Sequence, residues 1–353
     1  MLANHIRTII LGLTAIVFTS ACTHVSVPVQ VTRPAEINLA NYKKIAVGPF
    51  QGKQDVPSNA FDLLVVAVQA LADAAHSPNG AFQTNWQGQR DDGSDVALHV
   101  FNALTKTGRF SMIDFSFIPS ARSSGDAVLM VSGTVARKEV HTGINTSKHE
   151  DKNGKIYYSY TRTTQANYNV NLNLVDVSNG AIYMTRQYPC SRSDTRSEAN
   201  RSPKKLSMHE VHGLYDQCKM QIAKSFAKAV APYTETVTAW FAKIDNSPDT
   251  EAGINYARAG NWTAAIASFK AVPATQTMAE PEVQAKTWWN LGLAYEYNYQ
   301  FSKASEMVQK AMGLYPDSRY SQELTNISLL QQSQERLKEQ EYKGDKPTVP
   351  PGS

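Results

Sequence analysis

The sequence predicts an α+β domain, an antiparallel or mixed sheet with helices on one side, followed by an all-α helical-repeat domain. Three observations lead there. Residues 169–174 alternate strictly, Val170, Leu172 and Leu174 against Asn169, Asn171 and Asn173, as a strand with one dry and one wet face does. Helical stripes stand on both sides of that strand region in the chain. From about Asp245 the apolar period turns purely helical. The 353 residues, 42% hydrophobic and 19% charged, suffice for two globular domains.

The chain opens with His5 and Arg7, an apolar run over 9–18, and Thr19-Ser20-Ala21 before Cys22. That is the layout of a secretory leader, and the run is too short to span a bilayer. Ser20-Ala21-Cys22 resembles the lipobox of bacterial lipoproteins, with Thr19 in place of the usual branched apolar residue. The resemblance implies removal of residues 1–21 and acylation of Cys22, palmitate included. With Thr23 next, and not Asp, it implies an outer-membrane anchor facing the periplasm. An ordinary leader followed by a chance cysteine is the alternative. Net charge is +4, or +3 once Arg7 leaves, without a dense basic cluster, which argues against nucleic acid as a partner.

Residues 22–42, with Pro28 and Pro34 and little periodicity, read as a tether. Ile45-Ala46-Val47 begins the first domain, 43–243, as a strand closed by Gly48-Pro49. Ser58 can cap a helix bearing Phe61, Leu64, Val65, Val68 and Leu71, inside an insert at 51–90. A second helix carries Val96, Val100, Phe101 and Leu104 and stops at Gly108. Strands follow at 110–115 and 126–140. A long hairpin then turns at Asn153-Gly154, and Asn179-Gly180 turns the chain into a strand over 181–188. A helix over 206–231 places Leu214, Cys218, Ile222 and Phe226 on one face. Cys190 ends a strand-like run and Cys218 lies on that helix. In an oxidising compartment they form either a disulfide or two buried thiols, and spacing leaves both open.

Ile45-Ala46-Val47 with Phe50, Thr107-Gly108-Arg109-Phe110, Met112-Ile113-Asp114, and residues 172–177 with Asn179-Gly180 follow a known pattern. They resemble the curli-secretion lipoprotein superfamily, whose small fold recurs in lipoprotein activators of penicillin-binding proteins. The resemblance implies binding, tethering or assembly, with no catalytic residues.

In the second domain, 244–342, Trp288, Leu291, Gly292, Tyr295, Phe301, Ala304, Val308, Ala311 and Pro316 match the tetratricopeptide signature in order and spacing. An earlier copy reads Ala252, Gly253, Tyr256, Gly260, Trp262, Ala265, Phe269 and Val272. A capping helix with Leu324, Ile327, Leu330 and Leu337 follows. The repeats are expected to pack on a long helix reaching Trp240 and Ile244, or on another subunit, and residues 343–353 form a disordered tail. By the resemblance, Asn255, Arg258, Asn290 and Glu296 line a concave face for a partner protein. Ordinary solvated positions would look the same.

Chemistry is scarce. His209 and His212 are three apart, where the zinc-protease helix needs four, and no third ligand is near, so capping or solvation is the better reading. Residues 91–95 resemble a calcium-loop fragment without its glutamate, and Ser94 or Asp92 is better read as a helix cap. No metal, cofactor or catalytic set is expected, and the chain does not read as an enzyme. In the hairpin, Ile156, Tyr158, Tyr160, Arg162 and Thr164 share one face, which is not apolar enough for a membrane barrel. The reading is a non-catalytic envelope scaffold or assembly factor, possible as a homo-oligomer. The alternatives are a regulator of a peptidoglycan synthase or a subunit of a secretion pore.

Overall fold

The structure, a computed structural model, describes residues 24–51, 92–124, 127–275 and 279–341. The leader, Cys22, the helix expected after Ser58 and the C-terminal tail lie outside the described residues. The chain divides into two compact units, one of residues 32–234 with 333–353 and one of residues 1–31 with 235–332.

The first unit holds a five-stranded mixed sheet. Its strands are β2 (Lys44–Gln51), β3 (Ser111–Ile113), β4 (Val128–Glu150), β5 (Ile156–Asp176) and β6 (Ile182–Ala199), in the order β3-β2-β4-β5-β6. β2 runs parallel to β3 and β4, and β4, β5 and β6 run antiparallel. The α+β class therefore holds. Two long helices, α1 (Asp92–Thr107) and α3 (Met208–Val230), cover one face. They bury Val96, Val100 and Leu104, and Leu214, Cys218, Ile222 and Phe226, against Leu129, Val131, Val170, Leu172 and Leu174. These are the stripes that helical periodicity picks out, except that Phe101, grouped with the first of them, is 39% exposed, and they meet the dry side of the alternating strand. Helices do not occupy one side only. A short helix, α2 (Ile118–Ser123), closes a smaller cluster of Ala46, Ile118, Val128, Met130 and Val177. These strand positions alternate with the main-core residues, so they face the other way.

The hairpin turns where Asn153-Gly154 predicts, with Gly154 at φ 77° and the Asp151 carboxylate accepting from the Asn153 and Lys155 amides. β6 runs 18 residues, well past the expected 181–188, so Cys190 sits within the strand and not at its end. Ser94 is not a cap either. The described helix runs from Asp92, so Ser94 lies inside it and not ahead of it.

The second unit is not all-α. Residues 24–33, read from sequence as a tether, form the strand β1 (His24–Arg33), paired with β7 (Tyr233–Ala242) in a two-stranded ribbon. Val27, Val29 and Val31 are buried, while Pro28 faces outward, tolerable in a strand that has an open edge. The expected helix through Trp240 is likewise a strand. Thr234, Thr236 and Thr238 point out while Ala239 and Phe241 point in, a two-residue period. Five helices follow: α4 (Pro248–Arg258), α5 (Trp262–Thr275), α6 (Pro281–Tyr297), α7 (Phe301–Leu314) and α8 (Ser318–Glu339). The ribbon and helices share one core, in which the Phe241 and Phe269 rings stack at 5.5 Å.

Candidate functional site

The helices of the second unit carry the expected partner-binding residues, and their packing explains which remain accessible. A Cβ on Gly253 of α4 would lie 2.5 Å from the Phe269 ring of α5, and one on Gly292 of α6 would lie 2.7 Å from Val308 Cγ2 of α7. Only glycine allows each pair of helices to come this close. Ala265, Ala304 and Ala311 are fully buried in the same core, where a small side chain lets helices pack closely. Aromatic rings fill the remaining space, with Trp262 against Tyr297 at 5.4 Å and Trp289 against Tyr320 at 5.1 Å.

This packing separates the four residues. Asn255 and Arg258 lie exposed on α4, where an Arg258 Nη1 hydrogen donates to Asn255 Oδ1 at 3.1 Å. Asn290 and Glu296 do not line an accessible face, because both are buried, at 0% and 2% exposure. Asn290 is taken up structurally. Its Oδ1 accepts from the Ala242 amide and its Nδ2 donates to the Ala242 carbonyl, each at 2.8 Å. Those backbone groups sit at the last residue of β7 and need partners once buried. Tyr256, a position of the earlier copy of the signature, is 44% exposed and lies with Asn255 and Arg258 on the outward side of α4. Its position between two solvated polar residues was the available signal.

In the first unit Cys190 of β6 and Cys218 of α3 are joined by a disulfide with a Cα separation of 5.5 Å, tying helix to sheet. His209 and His212 are exposed at the start of α3. The glutamate between them is engaged in a capping box. Ser207 Oγ accepts from the Glu210 amide at 3.3 Å, and Glu210 Oε2 accepts from the Ser207 amide at 2.7 Å. The Arg196 guanidinium, with Ser207, holds the Glu210 carboxyl down at about 2. Among the described residues no group of three His, Cys, Asp or Glu could hold a metal ion, and no helix is long and apolar enough to cross a membrane.

Lys219 is buried at 3% exposure and bonds Asp95 at 3.0 Å and Asp216 at 3.2 Å, which fastens α1 alongside α3. Nothing in sequence spacing pairs Asp95 with Lys219.

No protein-family model matches the chain, and no curated protein matches it. Solved structures similar to it include a PelC dodecamer from Paraburkholderia phytofirmans, at 17% identity over 59% of this chain and 99% of that one, TM-score 0.26. Others are a DUF330-family protein from Xanthomonas campestris (11%, 56% and 88%, TM-score 0.29) and lipoprotein GNA1162 from Neisseria meningitidis (14%, 51% and 98%, TM-score 0.15). At TM-scores this low the likenesses carry no argument about function.

Proposed function

We propose that this chain is a non-catalytic scaffold of the bacterial envelope. Cys22 anchors it by fatty acyl chains to the outer membrane, facing the periplasm, and the paired helices after Asp245 recruit another envelope protein. The observation that carries the reading is the glycine contact in each helical pair, Gly253 on Phe269 and Gly292 on Val308. It falls at the positions the tetratricopeptide signature reserves for small residues, and the lipobox-like Ser20-Ala21-Cys22 supplies the location. The α4 face of Asn255, Tyr256 and Arg258 is the contact surface, since aromatic and arginine side chains dominate protein interfaces.

Two experiments test this. A photo-crosslinking residue at Tyr256 should capture an envelope protein in cells, whereas one at the exposed Met208 should not. Equal capture from both, or recovery of every partner by Tyr256→Ala, would remove the recruitment reading. Labelled palmitate should enter the wild-type chain and not Cys22→Ala. Membrane fractionation of Cys22→Ala unchanged from wild type would remove the anchor.

A further inference from the structure

The first unit carries a groove that the scaffold reading does not use. It lies between the C-terminal halves of α1 and α3 and encloses about 730 Å³, within the range of small-molecule sites. Lys106, Lys224 and Lys228 line it, and no aspartate or glutamate among the described residues does. The nearest carboxylates on these helices, Asp95 and Asp216, are held by Lys219. Asp95 lies eleven positions before Lys106 along α1, roughly 16 Å at the helical rise. The two helix ends contribute about half a negative charge each, so the three ammonium groups leave a surplus of about two positive charges.

The floor is of a different kind. Met220, Ala223 and Ala227 fall on adjoining stripes of α3, and Ala103 faces them from α1. Met220 is 52% exposed, so its side chain is accessible to a ligand in the trough. The Lys228 ammonium sits 4.3 Å from the Tyr233 ring centre, which lowers the cost of keeping a cation at the rim. A cationic rim above an apolar trough matches a molecule with an anionic head and a hydrocarbon chain. Thr32, His99, Asn102, Thr107 and Thr234 also line the groove, but a peptide laid along the Met220, Ala223 and Ala227 floor would find no hydrogen bond for its backbone from those three side chains. A hydrocarbon chain needs none.

We propose that this groove binds an anionic lipid, its head on Lys106, Lys224 and Lys228 and its chain along Met220, Ala223 and Ala227. The site stands independently of the partner-recruiting helices. The full chain carrying Cys22→Ala, so that no acyl group of its own competes, is titrated calorimetrically with four probes below micelle-forming concentration. These are dodecyl phosphate, inorganic phosphate, dodecyl maltoside and a glutamate-rich peptide. Dodecyl phosphate alone should bind. Lys224→Glu with Lys228→Glu should weaken it by at least about tenfold, and the matching arginine pair should keep it within about twofold. Met220→Glu, at an exposed position, should weaken it similarly. Circular dichroism and Tm confirm that each variant is folded, and Lys106→Gln replaces any that is not.

The proposal is overturned by dodecyl phosphate failing to bind, inorganic phosphate binding as tightly (an adventitious ion only), the maltoside binding equally, the peptide binding in preference, or dodecyl phosphate indifferent to the lysine reversals. A dimer in light scattering that the reversals abolish, without lipid binding, would assign the groove to a second copy and also overturn it.

Discussion

At the scale of single residues, three glycines in helices make a controlled comparison. Gly253 and Gly292 face a neighbouring helix at distances no real Cβ occupies, whereas a Cβ on Gly213 of α3 meets nothing within 4 Å. Gly292→Ala should therefore lower stability by about 1–3 kcal/mol through overpacking. Gly213→Ala should raise it by about 0.5–1 kcal/mol, because alanine costs less chain entropy in a helix. Thermal melts of the two variants check the pair, and a shift of the same sign in both would contradict it. Asn290 makes a sharper case. Truncation to alanine leaves the amide and carbonyl of Ala242 buried and unmatched, so Asn290→Ala should cost roughly 2–4 kcal/mol in denaturant titration. An exposed groove residue would cost almost nothing, so the measurement separates the two roles.

At the scale of elements, α3 is held in several ways. Its apolar stripe meets the sheet, Lys219 ties it to α1, the capping box fixes its start, and the disulfide bonds it to β6. The Cys190–Cys218 bridge spans a sequence separation of 28. The loop-closure model assigns a ring of that size about 3–4 kcal/mol, as a constraint on the unfolded chain. Cys218→Ala should lower stability toward that amount, and reductant should have the same effect on wild type and none on the variant. Ser207→Ala, which removes the cap, should cost about 1 kcal/mol. At the level of fold the α3 stripe was legible because its contacts repeat every three or four residues. β1 was legible too, since Val25, Val27, Val29 and Val31 alternate as a half-buried strand does and Pro28 is compatible with an edge strand, so reading it as a tether missed a local signal.

At the scale of the molecule, each unit has its own core and its own acid-sensitive groups. His99 in the sheet unit and His24 in the other are held below 6.5, chiefly by burial and next by Lys219 and Arg319 respectively. A depressed histidine favours the neutral form in the fold. Its contribution is whole above pH 6.5 and begins to fall as pH drops through that value. The Glu210 and Asp317 carboxyls sit at about 2, each chiefly through a hydrogen bond from an arginine, Arg196 and Arg319. They stabilise above the usual 4.5 and 3.8, and that contribution is lost as pH falls toward 2. Tm should thus decline in two stages on acidification, the first reduced in His99→Gln and the second in Glu210→Gln. With separate cores, melting should resolve two transitions. Reductant should move one, and Asn290→Ala the other.

Local sequence by itself determined the helical stripes of α1 and α3, the Asn-Gly turn of the hairpin, the dry face of β5 and the glycines that let α4 meet α5 and α6 meet α7. Each depends on neighbours a few positions away, so periodicity and turn chemistry carry it. The pairing of β1 with β7, where Gln30 Nε2 donates to Thr236 Oγ1 across 206 positions, was decided only by tertiary structure. The same holds for the Gln340 side chain, which closes on both backbone groups of Ala35 from 305 positions away. Buried Asn290, the Lys219 pairs and the cationic groove belong with them. A backbone group that loses water must find a partner wherever the chain brings one, and a rim of lysines becomes a site only when two distant helices set them around one trough.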